Sequence, residues 1–554
     1  MRLQVVWFRR DLRLGDHPAL HQAASEGAVL PLFILDPALL QHPETGVARV
    51  GVLLDNLAAL DHELKQLASR LLVRWGEPAA CLLSVVKAYR ADAVLAHVDS
   101  ERIVGRVRDA RVQGQLQQAG VPLRWIEPPG GLEELVPYPA YRRFWHGVMA
   151  AEPLPAPGRL LTPPPAAGES TAAAVPSLEA LGMVDDGKPR PPGGSAAALQ
   201  RLQAFCRQEV SSRYYWQLSY PAARASSGIS PYLKFGVLSH RQCLRAIAPL
   251  RRGDAGRQRS WRQLVSRLRW GAGMAQRFRY LPQLELEPLW RCHRDDAVLR
   301  DTQEEMYLRW QEGRTGFPIV DAVSRCLLAT GGWRDLNFRS RAIHASFLTN
   351  LCGIDWRYGA LHYMRHLLDG DCPIDHYQWA MQAGVTAGGT GAWTRIYHPG
   401  QVAVNRCDPH GVFIRRWLPE LAELTNDQLG LPPAMAAYPP PMLDYETARR
   451  DRLRSLEARR QGWTRGSFSP MPDDLTPFGA ERFSVAETAW CQGSSHDHTL
   501  LPGPLDLASL DAAERRALES WFVMGRPNPS TSGTGRSRSH HNSAARQLSL
   551  FGPD

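Results

Sequence analysis

Val29-Leu30-Pro31-Leu32-Phe33-Ile34-Leu35 is an unbroken apolar run and reads as a strand. Working outward, Val5-Val6-Trp7-Phe8 precedes it, and Leu71-Leu72-Val73, Ala93-Val94-Leu95-Ala96 and Leu123-Arg124-Trp125-Ile126 follow. Between these runs, stretches such as 52–67 carry apolar residues at helical spacing. Strand and helix in alternation predict a parallel, doubly wound α/β domain over residues 1–130. No G-x-G-x-x-G follows the first strand, so the ordinary dinucleotide fingerprint is absent.

Beyond that domain the pattern changes. Residues 131–197 are rich in Pro, Ala, Gly and Ser, as in Leu161-Thr162-Pro163-Pro164-Pro165, and read as a connector. Residues 198–460 turn helical, most strongly at 196–208, 261–278 and 339–351, and predict an all-α domain. Residues 461–525 form a polar extension with one short amphipathic helix, lined by Leu507, Leu510, Ala513, Ala517, Leu518 and Trp521. Residues 526–554 are expected to be a disordered basic tail, since 526–546 contain no acidic residue.

The whole chain has 554 residues, enough for roughly two to four domains. Its formal charge of +10 favours polyanionic partners. No run approaches roughly 18 apolar residues, so no membrane span is expected. The nine cysteines are scattered without a C-x-x-C pair. That argues against a disulfide framework, a zinc site or an iron–sulfur ligand set, and predicts a reduced, cytoplasmic protein without a metal. The 17 tryptophans fit either a large helical core or a protein that stacks planar ligands and moves electrons between rings.

Several blocks carry chemistry. Arg9-Arg10-Asp11-Leu12-Arg13-Leu14-Gly15-Asp16-His17-Pro18 follows the first strand, either as a ligand-docking turn or as a salt-bridged surface turn. Tyr214 precedes Ser226-Ser227-Gly228-Ile229-Ser230-Pro231, whose hydroxyls and free N–H groups serve either a phosphate or an ordinary helix cap. Thr315-Gly316-Phe317-Pro318, Ile354-Asp355-Trp356-Arg357, Asp369-Gly370-Asp371 and Phe413-Ile414-Arg415-Arg416-Trp417 follow in that order.

Taken together, these blocks resemble the photolyase/cryptochrome family, from residue 1 to about 460. The resemblance implies an α/β domain followed by an all-α domain that holds a folded FAD. By that pattern Tyr214 and Ser226, Ser227, Gly228, Ile229 and Ser230 bind the FAD phosphates and ribityl. Asp369, Gly370 and Asp371 sit at the ribityl, adenine and ring edge, and Arg341 pairs with Asp369, an ion pair that would matter for folding in either case. The implied activity is blue-light-driven splitting of pyrimidine dimers in DNA by an electron from reduced FAD. The alternative is a cryptochrome-type FAD photoreceptor. A monomer is expected, and a second antenna chromophore, folate or deazaflavin, stays unassigned.

This chain also departs from the family pattern. Trp270 matches the tryptophan that stacks on the flipped lesion, but Arg267 stands where a glutamate is usual and Gly271 where an arginine is usual. A guanidinium has no acceptor for thymine N–H groups, although it can hold a phosphate. Either Ile374 or Asp375 falls in register with the residue facing flavin N5. Among the electron-transfer aromatics, Trp356 matches the middle member, and Tyr377 stands at the proximal position with Trp379 two residues on. The surface member falls near Arg300, which leaves Trp333, Trp290 and Trp310 as another route or as core. Trp379 also counts among the lesion-facing candidates. Finally, Gln547-Leu548-Ser549-Leu550-Phe551 resembles the pentapeptide by which bacterial repair proteins dock on the DNA sliding clamp.

Overall fold

The computed structural model describes residues 2–166, 175–286, 299–386 and 395–462, with residues 288, 293, 511–513, 516 and 517. The expected clamp motif at 547–551, the tail from 526 and Trp290 lie outside the described residues. Of the short helix expected near 507–521, residues 512, 513, 516 and 517 are described, and they are helical.

Five parallel strands form the N-terminal sheet: β1 (Arg2–Phe8), β2 (Gly27–Leu35), β3 (Leu72–Trp75), β4 (Ala93–His97) and β5 (Leu123–Ile126). Their order is β3-β2-β1-β4-β5, with Trp7 opposite Leu32 and Val5 opposite Val94. Each apolar run quoted from the sequence lies in or overlaps one of these strands. Helices cover both faces, so a strand such as β2 is buried along nearly its whole length and can be apolar throughout. The strand order reverses between β1 and β4, and the crevice at such a switch point is where α/β proteins bind ligands.

The segment read as a connector begins with a helix, Tyr138–Ala150. Tyr141, Trp145 and Met149 recur at four-residue spacing and bury one face of it, a period hidden by the surrounding prolines and glycines. The chain then runs extended beside the sheet, where Val29 N–H donates to the Leu161 carbonyl at 2.8 Å.

The second domain is helical. Among the described residues of 198–460, strand-type pairing is limited to one isolated bridge, Met435 with Tyr438. The helix expected at 261–278 is longer, Ala255–Tyr280, and is capped by Asp254 accepting from Arg257 N–H. The stretch 339–351 divides into the helix Phe338–Ser346 and a π-helical turn, Phe347–Leu351. One apolar core runs from a face of the sheet, through Val6 and Phe8, into the helical domain at Leu264 and Met274. The two domains therefore share a core and pack as one body. No helix among the described residues is long and apolar enough to cross a membrane.

Candidate functional site

The turn after β1 is buried between the domains and is no solvated surface turn. Asp11 accepts from His97 Nδ1 at 2.7 Å and lies 3.1 Å from His17 Nε2. The remaining imidazole nitrogens accept backbone N–H groups, His17 from Leu20 and His97 from Ala19. This Asp–His–His cluster is buried and ties the turn to the sheet and the first helix. Arg13 donates to the Gly236 carbonyl at 2.7 Å, across the domain boundary.

Arg10 makes the longest reach. Its guanidinium meets Asp99 at 2.5 Å, Glu101 at 2.9 Å and Asp371 at 2.6 Å. Lys234 adds contacts to Glu101 at 2.8 Å and Asp371 at 3.7 Å. Burial works against the charge on Arg10, but the three carboxylates outweigh it and raise its pKa well above the usual value. Asp371 stands at the cap position of the helix Cys372–Gln382, yet its side chain makes no cap bond and is committed to Arg10 instead.

A cavity of about 570 Å³ lies beside this cluster. Tyr214, the loop 226–230, Arg267, Arg334, Arg341, Asp369, Gly370, Asp371, Ile374 and Asp375 line it, facing Arg9, Arg10 and Asp11 from the turn after β1. Arg341 lies 3.6 Å from Asp369. Several buried polar atoms at this wall have no hydrogen-bond partner: Ser226 Oγ, Arg341 Nε, Asp369 Oδ1 and Asp375 Oδ2. Burial, with Glu44 and Asp369 facing it, pushes the Asp375 carboxyl well above the usual range, against the opposing pull of Arg341 and Arg49. Orphaned donors and acceptors on one cavity wall mark a place built to be completed by a polar ligand.

Other expected site residues lie elsewhere. Trp270 does not line this cavity; it is buried, with its ring 6.5 Å from that of Tyr377. Helix geometry accounts for this placement. Arg267 and Gly271 stand one turn apart on the cavity face, and Trp270 is rotated off it. Tyr377 and Trp379 are also absent from the lining, as is Trp356, whose ring meets His376 at 5.8 Å. The guanidinium of Arg277 sits 2.9 Å from the centre of the Tyr377 ring. A cation over a ring opposes removal of an electron from it. Trp379 instead meets Trp310 at 6.1 Å, and Trp310 stacks on Tyr307 at 5.9 Å. Trp333 donates from Nε1 to the Gly228 carbonyl, and Arg300 stands at the start of the helix Asp301–Glu312.

Comparison with known proteins follows the same division. Residues 4–158 match the family described as DNA photolyase, and residues 264–458 match the FAD binding domain of DNA photolyase. The deoxyribodipyrimidine photo-lyase of Synechococcus sp. is 33% identical over 474 residues, covering 80% of this chain and 93% of that protein. The chain belongs to the photolyase/cryptochrome family. Cryptochrome-1 of Sylvia borin is 30% identical over 498 residues, covering 80% of this chain and 76% of that one. The crystal structure of a bacterial class III photolyase from Agrobacterium tumefaciens superposes with a TM-score of 0.71 at 26% identity, over 83% of this chain and 98% of that one.

The family's cofactor, FAD, fits this cavity on the chain's own chemistry. The orphaned Ser226 hydroxyl and the left-handed turn at Gly228 suit a phosphate, and the Arg341–Asp369 pair supplies a donor and an acceptor for a polar ring edge. Sequence reasoning gave no role to Lys234 or Arg334, and took in Arg10 only as part of the turn after the first strand. Arg10 and Asp371 are 361 positions apart, and no local pattern connects them.

Proposed function

We propose that the protein is a blue-light-driven DNA lyase that splits pyrimidine dimers. Reduced FAD, when bound, would supply on excitation an electron to the dimer and would take it back once the ring has opened. The observation that carries this reading is a single cavity lined on one wall by the cofactor residues and on another by the helix Ala255–Tyr280. A donor and a flipped base can share it with no protein layer between them. On its cavity face that helix offers Gly271, Ala272 and Ala275, whose small size leaves room for a base, and Arg267, whose cation suits a phosphate. Arg341 beside Asp369 favours negative charge on a reduced ring. Gln547, Leu548, Ser549, Leu550 and Phe551 would tether the enzyme to a DNA sliding clamp.

A second reading, a cryptochrome-type photoreceptor, is favoured by two features. Trp270 is turned away from the cavity, and among the described residues lining it from that helix none is acidic. Illumination of the reduced protein with a dimer-containing oligonucleotide separates the two. Loss of dimers in light and not in darkness is expected of the lyase. Photoreduction without repair would select the receptor, and a colourless protein that cannot be reconstituted with FAD would exclude both. For the tether, Leu550→Ala with Phe551→Ala should abolish binding of the peptide to purified clamp in a fluorescence titration.

A further inference from the structure

The loop 226–230 lines the cavity but contains no basic residue. Its positive charge comes from elsewhere. Gly228 has φ +69°, and a Cβ there would collide with the guanidinium of Arg201, which reaches over from the helix Ser195–Arg207. The same guanidinium lies 5.4 Å above the ring of Trp333. Trp333 Nε1 donates to the Gly228 carbonyl at 3.1 Å, which ties residues 333 and 334 to the loop.

Arg334 is the unexplained member. It lines the cavity, and its Nε is buried without a hydrogen-bond partner. The neighbouring acid, Asp335, is committed to Arg224 at 2.9 Å and Arg416 at 3.8 Å. Arg334 also has φ +66°, a left-handed backbone that disfavours any side chain by about 1–2 kcal/mol. Arg201 and Arg334 stand close enough for their charges to repel: burial and then Arg334 lower the pKa of Arg201. Strain, an unpartnered guanidinium Nε, a repelling neighbour and an orphaned hydroxyl at Ser226 together describe a wall suited to an anion.

We propose that Arg334, backed by Arg201, grips the diphosphate of the bound dinucleotide and completes the cation-free loop 226–230. This rests on the assignment of the cavity to FAD. The cofactor is favoured over a nucleic-acid phosphate because Arg201 lies against Gly228 and Arg334 follows Trp333, which donates to the Gly228 carbonyl, and Arg334 lines the same cavity as Ser226.

The test uses full-length protein stripped of flavin and titrated with FAD and with riboflavin, which lacks phosphate. Arg334→Gln should weaken FAD at least about tenfold, the scale of one charge-assisted hydrogen bond, and leave riboflavin unchanged. Arg334→Gly should lose FAD affinity equally while raising the melting temperature of the apoprotein, because glycine accepts the left-handed backbone. A folding defect cannot produce that combination. Unchanged FAD affinity, or equal weakening of FAD and riboflavin, would overturn the proposal. Loss of oligonucleotide affinity with FAD affinity intact would also overturn it, by assigning Arg334 to nucleic acid. In each of these cases the parent protein still binds FAD, whereas a parent that binds none removes the cavity assignment itself.

Discussion

Asp375 is buried at the cavity wall. Its carboxyl is surrounded by Glu44 and Asp369 as well as by Arg341 and Arg49, and its pKa is raised well above the usual range. An acid raised in the fold leaves stability whole below its unfolded value, near about 4, and forfeits it as pH rises toward the folded value. Asp375→Asn removes that dependence. Thermal unfolding across pH should show the variant equal to the parent at low pH and more stable by about 1–3 kcal/mol at neutral pH. Asp369 behaves differently, since it faces the cavity 3.6 Å from Arg341. Asp369→Ala leaves that guanidinium without its counter-ion, so the variant should purify with less than half the parent's flavin, read from the ratio of visible to ultraviolet absorbance. The residue type at 369 and 341 was legible in sequence from the family pattern. The raised pKa of Asp375 was not, because it depends on burial and on Glu44, which is distant in the chain and also contacts His376 at 3.3 Å.

Elements were read well where one face carries a strong period and poorly where neighbours decide. The strands are plain in sequence because each is a short apolar run between helices. The π-helical turn Phe347–Leu351 carries no such mark, and the final helix, Tyr445–Gly462, is held by the buried Arg452, with Tyr445 and Ala448 partly buried against the core. Arg452 donates to Asn350 Oδ1 at 2.9 Å and to the Ala383 carbonyl at 2.8 Å. Arg452→Ala should reduce stability by about 2–3 kcal/mol, through two buried acceptors left unsatisfied. Hydrogen exchange should show protection lost in 445–462 before any other segment. The helix Ala255–Tyr280 makes the same point for the site. Its existence follows from sequence, but the rotation that shows Arg267 and Gly271 to the cavity and turns Trp270 toward Tyr377 is a matter of packing.

Across the whole molecule, buried charge joins the two domains. Arg102, after β4, meets Glu44 at 2.6 Å and donates to Glu285 at 2.7 Å, all three nearly inaccessible to solvent. Arg102→Met strands two carboxylates and should destabilise the protein by about 3–5 kcal/mol in denaturant unfolding at neutral pH. The loss should shrink in acid, where those carboxylates take up protons. The sequence by itself determined the alternating α/β half, the helical half and the identity of the family blocks, because apolar periodicity and short motifs are local properties of a chain. Only the tertiary structure decided which charges meet. Arg10 meets Asp371 across 361 positions, and Arg334 reaches the cavity wall opposite the turn after β1, through a core that both domains share.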